Sequence, residues 1–378
     1  MSVIGPGATL GVIGGGQLGR MFVEAAHGLH YKVAVLAAEA ACPAGLVADC
    51  MILGSQDDPK VVHTFARMVD ALTYENELVP WECLAAAAEA TLVRPGPEVL
   101  RIAQDRISQR RFLLRHAIPV APFSTIEAGM DPSTAFAGLQ FPLVMKASRN
   151  GYDGRSQARV ERPEELFPAW ASLGQVPVLI EQRVTLAVEF SIVLARAVDR
   201  TVVVYEPIEN VHVDGILDTS VCPSAIPAAA ARVGREIAHT IARELGLVGV
   251  VCVEFFLTAD GCVLVNEFAT RPHNSGHLTI EACESSQFEQ QLRALVGLPL
   301  GSARLTSPAA MANLVGIYSP AAEGFPVPRT STLHWYGKQP MAGRKVGHIT
   351  TCGEDAAAAL REAMQVRDAV RANGHPSS

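Results

Sequence analysis

Cys252-Val-Glu-Phe-Phe-Leu-Thr-Ala-Asp-Gly-Cys-Val-Leu-Val-Asn-Glu-Phe-Ala-Thr-Arg-Pro-His-Asn-Ser-Gly-His277 is the stretch from which the rest of the chain is read. Two apolar runs, Val250 to Leu257 and Cys262 to Phe268, flank Ala259-Asp260-Gly261, a spacing that predicts a hairpin. Each run carries one carboxylate, Glu254 or Glu267, where a buried strand would carry Val or Ile. On neighbouring antiparallel strands the two can face one side, close enough to hold a hard divalent cation. Without a cation, like charges in one site repel and raise one pKa. A solvated strand face would explain either acid alone. It does not explain Asn266 beside Glu267, or Arg271, His273, Asn274 and His277 following at once.

At 378 residues the chain is too long for one typical domain, and two or three are expected. Hydrophobic residues make up 49% and charged ones 18%, the balance of a chain with well-filled cores. No apolar run is long enough for a membrane span, and the apolar N-terminal segment is broken by glycines, unlike a signal peptide. Eight cysteines without CxxC pairs read as buried thiols in a reducing compartment, so a cytoplasmic location is expected. A formal net charge of −7 argues against nucleic acid as the main partner.

Residues 8–75 alternate strand and helix: Thr9 to Ile13, a helix to about Leu29, Lys32 to Leu36, a helix near Lys60 to Val69, then Ala71 to Thr73. That rhythm predicts a parallel sheet with helices on its faces. Gly14, Gly16 and Gly19 fit GxGxxG at the first turn, so the turn is a candidate seat for a phosphate or dinucleotide, with Glu39 as a late acid for a ribose. A purely structural turn is the alternative. Glu75 and Glu77 end the third strand, where open α/β sheets bind ligands. Val93 to Pro97 marks a boundary. Beyond it, Asp105 to His116 is a basic helix carrying Arg106, Arg110, Arg111 and Arg115, read equally as a solvated face.

Phe141 to Lys146 is a strand ending in a lysine, followed by a polar glycine-containing loop to Ser156. This suits a triphosphate, the ammonium neutralising charge while loop amides close over oxygens. GxxxxGK[ST] is absent, which argues against a P-loop fold. Val178 to Gln182 is a further strand, Glu189 lies in the next, and a helix over 228–245 shows a core stripe at Val233, Ile237, Ile241 and Leu245. After Leu300, residues 306–352 read as a small β-rich unit where Lys338, Arg344, Lys345 and His348 concentrate positive charge. That charge is either a solvated patch or a clamp for a substrate phosphate. A helix over 354–371 closes the chain.

Together, GGGQLGRM, TYENE, QDR, KASRNGYDGRSQ, the Glu181-Gln182 strand end with Glu189, EPIENVHVDGIL, the opening stretch and LHWYGK…GRKVGH resemble, in order and over almost the whole chain, the ATP-grasp carboxylate–amine ligases. Among these the pattern is that of the 5-(carboxyamino)imidazole ribonucleotide synthetases of purine biosynthesis. The resemblance implies an α/β and α+β protein with an ATP-grasp fold. Its parts would be a Rossmann-like N-terminal ribonucleotide domain (1–104), a lid subdomain (105–185), a main sheet with the Mg-ATP site (186–300), and a small β-rich C-terminal portion with a closing helix (301–378).

By the same resemblance, Lys146 contacts ATP phosphate, Glu181 and Gln182 lie along the adenine hinge, and Glu189 takes the ribose hydroxyls. Arg106, Val184, His212 and Asn266 are further ATP contacts. Glu254 and Glu267 hold Mg²⁺, or Mn²⁺ in its place. Tyr152, Asp153, Arg155, Arg271, His273 and Asn274 surround the reacting groups, with His273 and Asp153 both open as the base. Gly16, Gln17, Leu18, Glu75, Lys338, Arg344 and Lys345 position the ribonucleotide. The implied reaction is carboxylation of 5-aminoimidazole ribonucleotide with ATP and bicarbonate by a homodimer, its product passing to a separate mutase.

Arg106 stands where many members have Lys, Arg149-Asn150 replaces the commoner Gly-Gly, Ser156 replaces a Gly, and Met341-Ala342 lacks the usual Arg-Pro. The rival readings are a nicotinamide dehydrogenase on the glycine turn, a non-catalytic ATP sensor, and, within the superfamily, a formate-dependent glycinamide ribonucleotide formyltransferase or a biotin carboxylase. The first leaves Lys146 and the paired glutamates unexplained.

Overall fold

The computed structural model describes residues 3–130, 135–136, 138–149, 151, 156–316 and 327–373. The readings made for Tyr152, Asp153 and Arg155 lie outside the described residues. Among the described residues no helix is long and apolar enough to cross a membrane.

The N-terminal part runs β1 (Thr9–Ile13), α1 (Gln17–Gly28), β2 (Lys32–Ala37), β3 (Cys50–Leu53), α2 (Pro59–Ala66), β4 (Ala71–Tyr74), α3 (Trp81–Ala88), β5 (Leu92–Val93) and α4 (Pro97–Ala103). Its strands form a parallel sheet in the order β3-β2-β1-β4-β5. Near-continuous apolar strands such as Val33 to Leu36 suit it, because helices cover both faces. Helix α2 begins where Asp58 accepts from the Lys60 and Val61 amides and Pro59 presets the first turn.

Next come α5 (Arg106–Arg115), β6 (Phe123–Ile126), β7 (Leu143–Ala147), β8 (Gln157–Val160), α6 (Leu166–Ser172) and β9 (Val178–Gln182). The strands make an antiparallel sheet, β6-β9-β7-β8. Strand β7 starts two residues later than the sequence reading placed it, since Pro142 has no N–H for a ladder. The remaining elements are β10 (Leu186–Arg196), β11 (Val202–Val204), β12 (Ile208–Val213), β13 (Ile216–Cys222), α7 (Ala228–Glu244), β14 (Gly249–Thr258), β15 (Val263–Ala269), α8 (Thr279–Ala282), α9 (Gln287–Val296), β16 (Ala309–Val315), β17 (Ser331–Trp335), β18 (Lys345–Cys352) and α10 (Ala356–Asn373). Strands β16, β17 and β18, expected as a small unit of their own, join the larger sheet. Strand β16 pairs with β13, and one nine-stranded sheet runs β15-β14-β10-β12-β13-β16-β18-β17, with β11 beside β10.

Helix α9 ties the two larger sheets together. Gln291 donates to Thr73 Oγ at 2.8 Å on β4, and its carbonyl accepts from Val250 N at 2.8 Å on β14. Buried Arg94 donates to the Ala294 and Leu295 carbonyls at the end of the same helix.

The glycine turn, read as a phosphate seat, is filled by the protein itself. Glu75, at the end of β4, accepts from Gly16 N at 2.6 Å and Gly19 N at 2.9 Å. An internal carboxylate thus takes the amides that a helix N-terminus offers an anion. The glycines are required for its approach: a Cβ at Gly16 would lie 2.4 Å from Glu75 Oε1, and one at Gly14 2.4 Å from Glu75 Cγ. We therefore expect Gly16→Ala to cost about 1–3 kcal/mol in thermal or denaturant unfolding, and titration of wild type with NADH to give no saturable fluorescence change. Wild-type stability in that variant, or saturable NADH binding displaced by NAD⁺, contradicts this reading of the turn.

Candidate active site

Strand β14 has two different faces. Val251, Val253 and Phe255 pack with Ile237 and Ile241 of α7, which turns Glu254 to the opposite side. On β15, Val265 and Phe268 join the same core although they are three residues apart. A β-bulge allows this: Glu254 pairs with Glu267 while Phe255 pairs with Val265, leaving Asn266 as the extra residue. Asn266 and Glu267 both line the cleft as a result, whereas unbroken alternation would send only one of them there. Asn266 Nδ2 donates to Glu254 Oε2 at 3.4 Å.

Burial first, and the facing Glu267 second, push the Glu254 carboxyl up to about 7. Glu267 moves the other way. Burial opposes its charge, but Arg106, Lys146 and Arg110 outweigh burial and hold it below the usual carboxylate range. Among the described residues no group of three or more His, Cys, Asp or Glu side chains is arranged for a metal. Mg²⁺ needs none, because it binds through one or two carboxylates plus phosphate oxygens. A strained acid pair in a cleft fits that requirement.

The cations beside the pair come from two elements. Lys146, near the end of β7, lies 2.7 Å from Glu181 Oε2 and donates to Asn266 Oδ1 at 3.3 Å. Arg110 on α5 is buried and donates through Nε to Glu181 Oε1 at 2.9 Å. Burial would raise Glu181, yet Lys146 and Arg110 pull it down to about 2, so it is ionised throughout the working range. The basic helix is therefore split by its own period. Arg106 and Arg110 turn inward, while Arg111 and Arg115 are exposed. Arg106 donates to the Ala147 carbonyl at 3.0 Å and the Gly151 carbonyl at 3.2 Å, and lies 3.6 Å from Glu267. A lysine, as a single point charge, could not hold both carbonyls in that fixed fork.

The loop after β15 is fixed by α9. Buried Gln287 accepts from His273 N at 2.9 Å and donates to His273 O at 2.7 Å, gripping that residue's backbone from both sides. Arg271 Nε lies 2.5 Å from Glu77 Oε2, and its Nη1 donates to the Pro272 carbonyl at 3.0 Å. One edge of the guanidinium is thus committed to Glu77, read from sequence only as an acid at the ligand end of the third strand. Asn274 is only 6% exposed, and neither atom of its amide has a hydrogen-bond partner. A buried unpaired amide lining a cleft is a group awaiting a ligand. His212 Nδ1 stands 2.6 Å from Glu189 Oε2 and, although burial opposes it, this contact raises the His212 pKa.

One cleft of about 910 Å³ is lined by Gly16, Gln17, Leu18 and Glu75 of the N-terminal part and by Lys338, Arg344 and Lys345 of the C-terminal part. Arg106, Lys146, Glu189, His212, Glu254, Asn266, Glu267, Arg271, His273 and Asn274 line it as well. Lys345 is close enough to Glu254, His212 and His273 to bias all three electrostatically. Glu181 is not on the cleft wall but buried under Lys146, and Gln182 accepts from the Gln140 amide at 3.3 Å. His348 does not belong to the cationic patch. It is fully buried, bonded to Tyr336 Oη at 2.7 Å, and burial holds its pKa well below the usual histidine value, so the ring is neutral.

Comparison with known proteins decides the family. Residues 7–104 match the ribonucleotide synthetase preATP-grasp domain, 111–288 the ATP-grasp domain and 309–362 the phosphoribosylaminoimidazole carboxylase C-terminal domain. A Brucella melitensis N5-carboxyaminoimidazole ribonucleotide synthase is 40% identical over 348 residues, covering 91% of this chain and 96% of that protein. The chain belongs to the N5-carboxyaminoimidazole ribonucleotide synthase family. The Bacillus subtilis synthase is 37% identical over 92% of each chain. An Aspergillus clavatus N5-carboxyaminoimidazole synthase, solved with ADP and 5-aminoimidazole ribonucleotide, superposes with a TM-score of 0.89 at 30% identity, covering 97% of this chain and 99% of that one.

In this synthase, sequence reasoning missed Gln287 and Gln291, since nothing local distinguishes a buried glutamine from a solvated one. It left Arg110 undecided, although the Arg106–Arg110 spacing of four was the available signal.

Glu254 gives a pH-dependent test. Its pKa rises from 4.5 to about 7 on folding, so its contribution to stability is complete below pH 4.5 and lost as pH climbs through about 7. Glu254→Gln removes that loss. Without divalent cation, the variant's Tm minus the wild-type Tm is expected to grow as pH rises from 4.5 to about 7. Buried His277 and His348 impose the opposite slope on both proteins and cancel in the difference. A flat difference contradicts the strained-pair account.

Proposed function

We propose that this synthase carboxylates the exocyclic amine of 5-aminoimidazole ribonucleotide, using ATP and bicarbonate, to give N5-carboxyaminoimidazole ribonucleotide, ADP and phosphate. The observation that carries the reading is a single cleft that brings together two differently equipped groups. Lys146, Glu254 and Glu267 are suited to a metal-bound polyphosphate, and Lys338, Arg344 and Lys345 to a substrate phosphate. Arg271, His273 and Asn274 line the same cleft.

Bicarbonate is a poor electrophile. A bicarbonate oxygen attacks the γ-phosphorus, ADP departs, and the resulting carboxyphosphate carries a leaving group. The new C–N bond forms as phosphate leaves and the amine gives up a proton. Lys146 meets phosphate oxygens, with Glu181 and Asn266 fixing its ammonium. Arg106, Val184, Gln182, Glu189 and His212 complete the nucleotide contacts. Glu254 and Glu267 would hold Mg²⁺, or Mn²⁺, which would compensate phosphoryl charge. Arg271 is oriented by Glu77 and Pro272 before substrate arrives, so it can stabilise negative charge without reorganisation. Asn274 offers an unpaired amide to the carboxyl group. By family resemblance, Tyr152, Asp153 and Arg155 are read as residues that act on the reacting groups.

Glu75 receives a different task from the one a dinucleotide fold would give it. With Gly16 and Gly19 holding its carboxylate, it and Gln17 face the cleft where the ribonucleotide's ribose would lie. By family resemblance we also read the protein as a cytoplasmic homodimer whose product goes to a separate mutase.

The test is purified protein with Mg-ATP, ¹⁴C-bicarbonate and 5-aminoimidazole ribonucleotide. ADP and acid-labile ¹⁴C product should appear together, and neither should exceed background when glycinamide ribonucleotide with formate, or biotin, replaces the amine. ADP formed only with one of those replacements overturns the substrate. No ATP consumption with any amine overturns the ligase reading.

A further inference from the structure

Behind the cleft a line of polar side chains runs through four elements of the core. Ser220 on β13 donates to Asn210 Oδ1 at 2.8 Å, and Asn210 on β12 donates through Nδ2 to Ser191 Oγ at 3.0 Å. Ser191 on β10 donates to Ser275 Oγ at 2.8 Å, and Ser275 Oγ lies 3.0 Å from His273 Nδ1. Ser191, Ser220 and Ser275 have 0% exposure and Asn210 5%. Burying four polar side chains in the core costs stability unless every group is bonded, and apolar residues would fill the space more simply.

The chain has a direction. A hydroxyl has one proton to give. Ser220 spends its proton on Asn210 and Ser191 spends its own on Ser275, so Ser275 is left with a proton for His273 Nδ1. The rival acceptor, Cys252 Sγ at 3.5 Å, is a weak one. The Ser275 backbone N–H also points at Nδ1, at 3.3 Å. Two donors converging on Nδ1 require a lone pair there, which leaves the ring proton on Nε2, 3.3 Å from Glu254 Oε1. Asn210 sets the polarity of the line, because it accepts on one side and donates on the other.

We propose that Asn210, Ser191 and Ser275 are positioning residues that lock His273 as the Nε2–H tautomer, making it a hydrogen-bond donor at the reacting centre and not its base. This rests on the active-site role given to His273 above, and it settles which of its two nitrogens faces the cleft chemistry. Asn210→Asp reverses the line. A carboxylate accepts from both serines, Ser191 turns its proton back, Ser275 follows, and Nδ1 loses its hydroxyl donor.

The experiment combines ¹⁵N-histidine NMR of the full-length protein with steady-state kinetics. The His273 ring signals are assigned by their loss in His273→Ala. Wild type should show His273 as Nε2–H, and Asn210→Asp should shift it toward Nδ1–H. In that variant kcat for ADP release with 5-aminoimidazole ribonucleotide should fall about 10- to 100-fold while KM for ATP is unchanged. An Nδ1–H ring in wild type, or a folded Asn210→Asp enzyme with wild-type kcat, overturns the proposal. Should that variant not fold, Ser275→Ala deletes the hydroxyl donor directly. A similar fall in kcat supports the line, and wild-type kcat overturns it. His273→Ala separates the two levels. If it retains full turnover, the role of His273 itself fails. If it is inactive while Asn210→Asp is fully active, only the positioning line fails.

Discussion

Two carboxylates facing each other across paired strands set the terms for everything around them. Glu254 and Glu267 share one side of the hairpin, and neither can be neutralised by its own strand. The surrounding charges are arranged as partial compensation. Arg106, Lys146 and Arg110 favour the ionised form of Glu267, while Glu254, further from them, is left strained toward its protonated form. Breaking one member of such a buried network would leave an unpaired charge, a far larger cost than the net value of any single pair. The same imbalance makes the pair receptive to a divalent cation.

Position is then a matter of how the three sheets are held against one another. The bulge at Asn266 aims two consecutive side chains at the cleft, and α9 braces the loop that follows. Gln287 grips His273, Gln291 bridges β4 to β14, and Arg94 closes on the helix end. Each is a buried polar group whose loss would leave its partners unsatisfied as well. The N-terminal sheet adds Glu77, which orients Arg271 across the boundary between sheets. The cleft is therefore built from pieces distant in sequence, and its geometry depends on polar clamps more than on apolar packing alone.

Much of this was legible in the sequence. Apolar runs and periodicity located β1, β2, β4, α7 and β9, and the spaced arginines located α5. The Glu254–Glu267 pairing followed from a hairpin turn and two misplaced acids. The rest was not local. Alternation cannot reveal a bulge, and only the three-residue step from Val265 to Phe268 hinted at one. That Gly16 and Gly19 hold the Glu75 carboxylate was hidden, because the sheet brings those partners to it from far along the chain. His348 looked cationic because sequence does not show that its ring stacks on His334 4.4 Å away inside the core. The joining of β16 to β13 could not be read from composition that pointed only to strands.

The central claim is that Glu254 and Glu267 act together as one metal-binding unit. It is tested most directly by titrating the protein–ADP complex with Mn²⁺ and following the free ion by electron paramagnetic resonance. The account predicts a bound ion in wild type whose affinity weakens at least about tenfold in Glu254→Gln and in Glu267→Gln alike. Undiminished Mn²⁺ binding in either variant would contradict it.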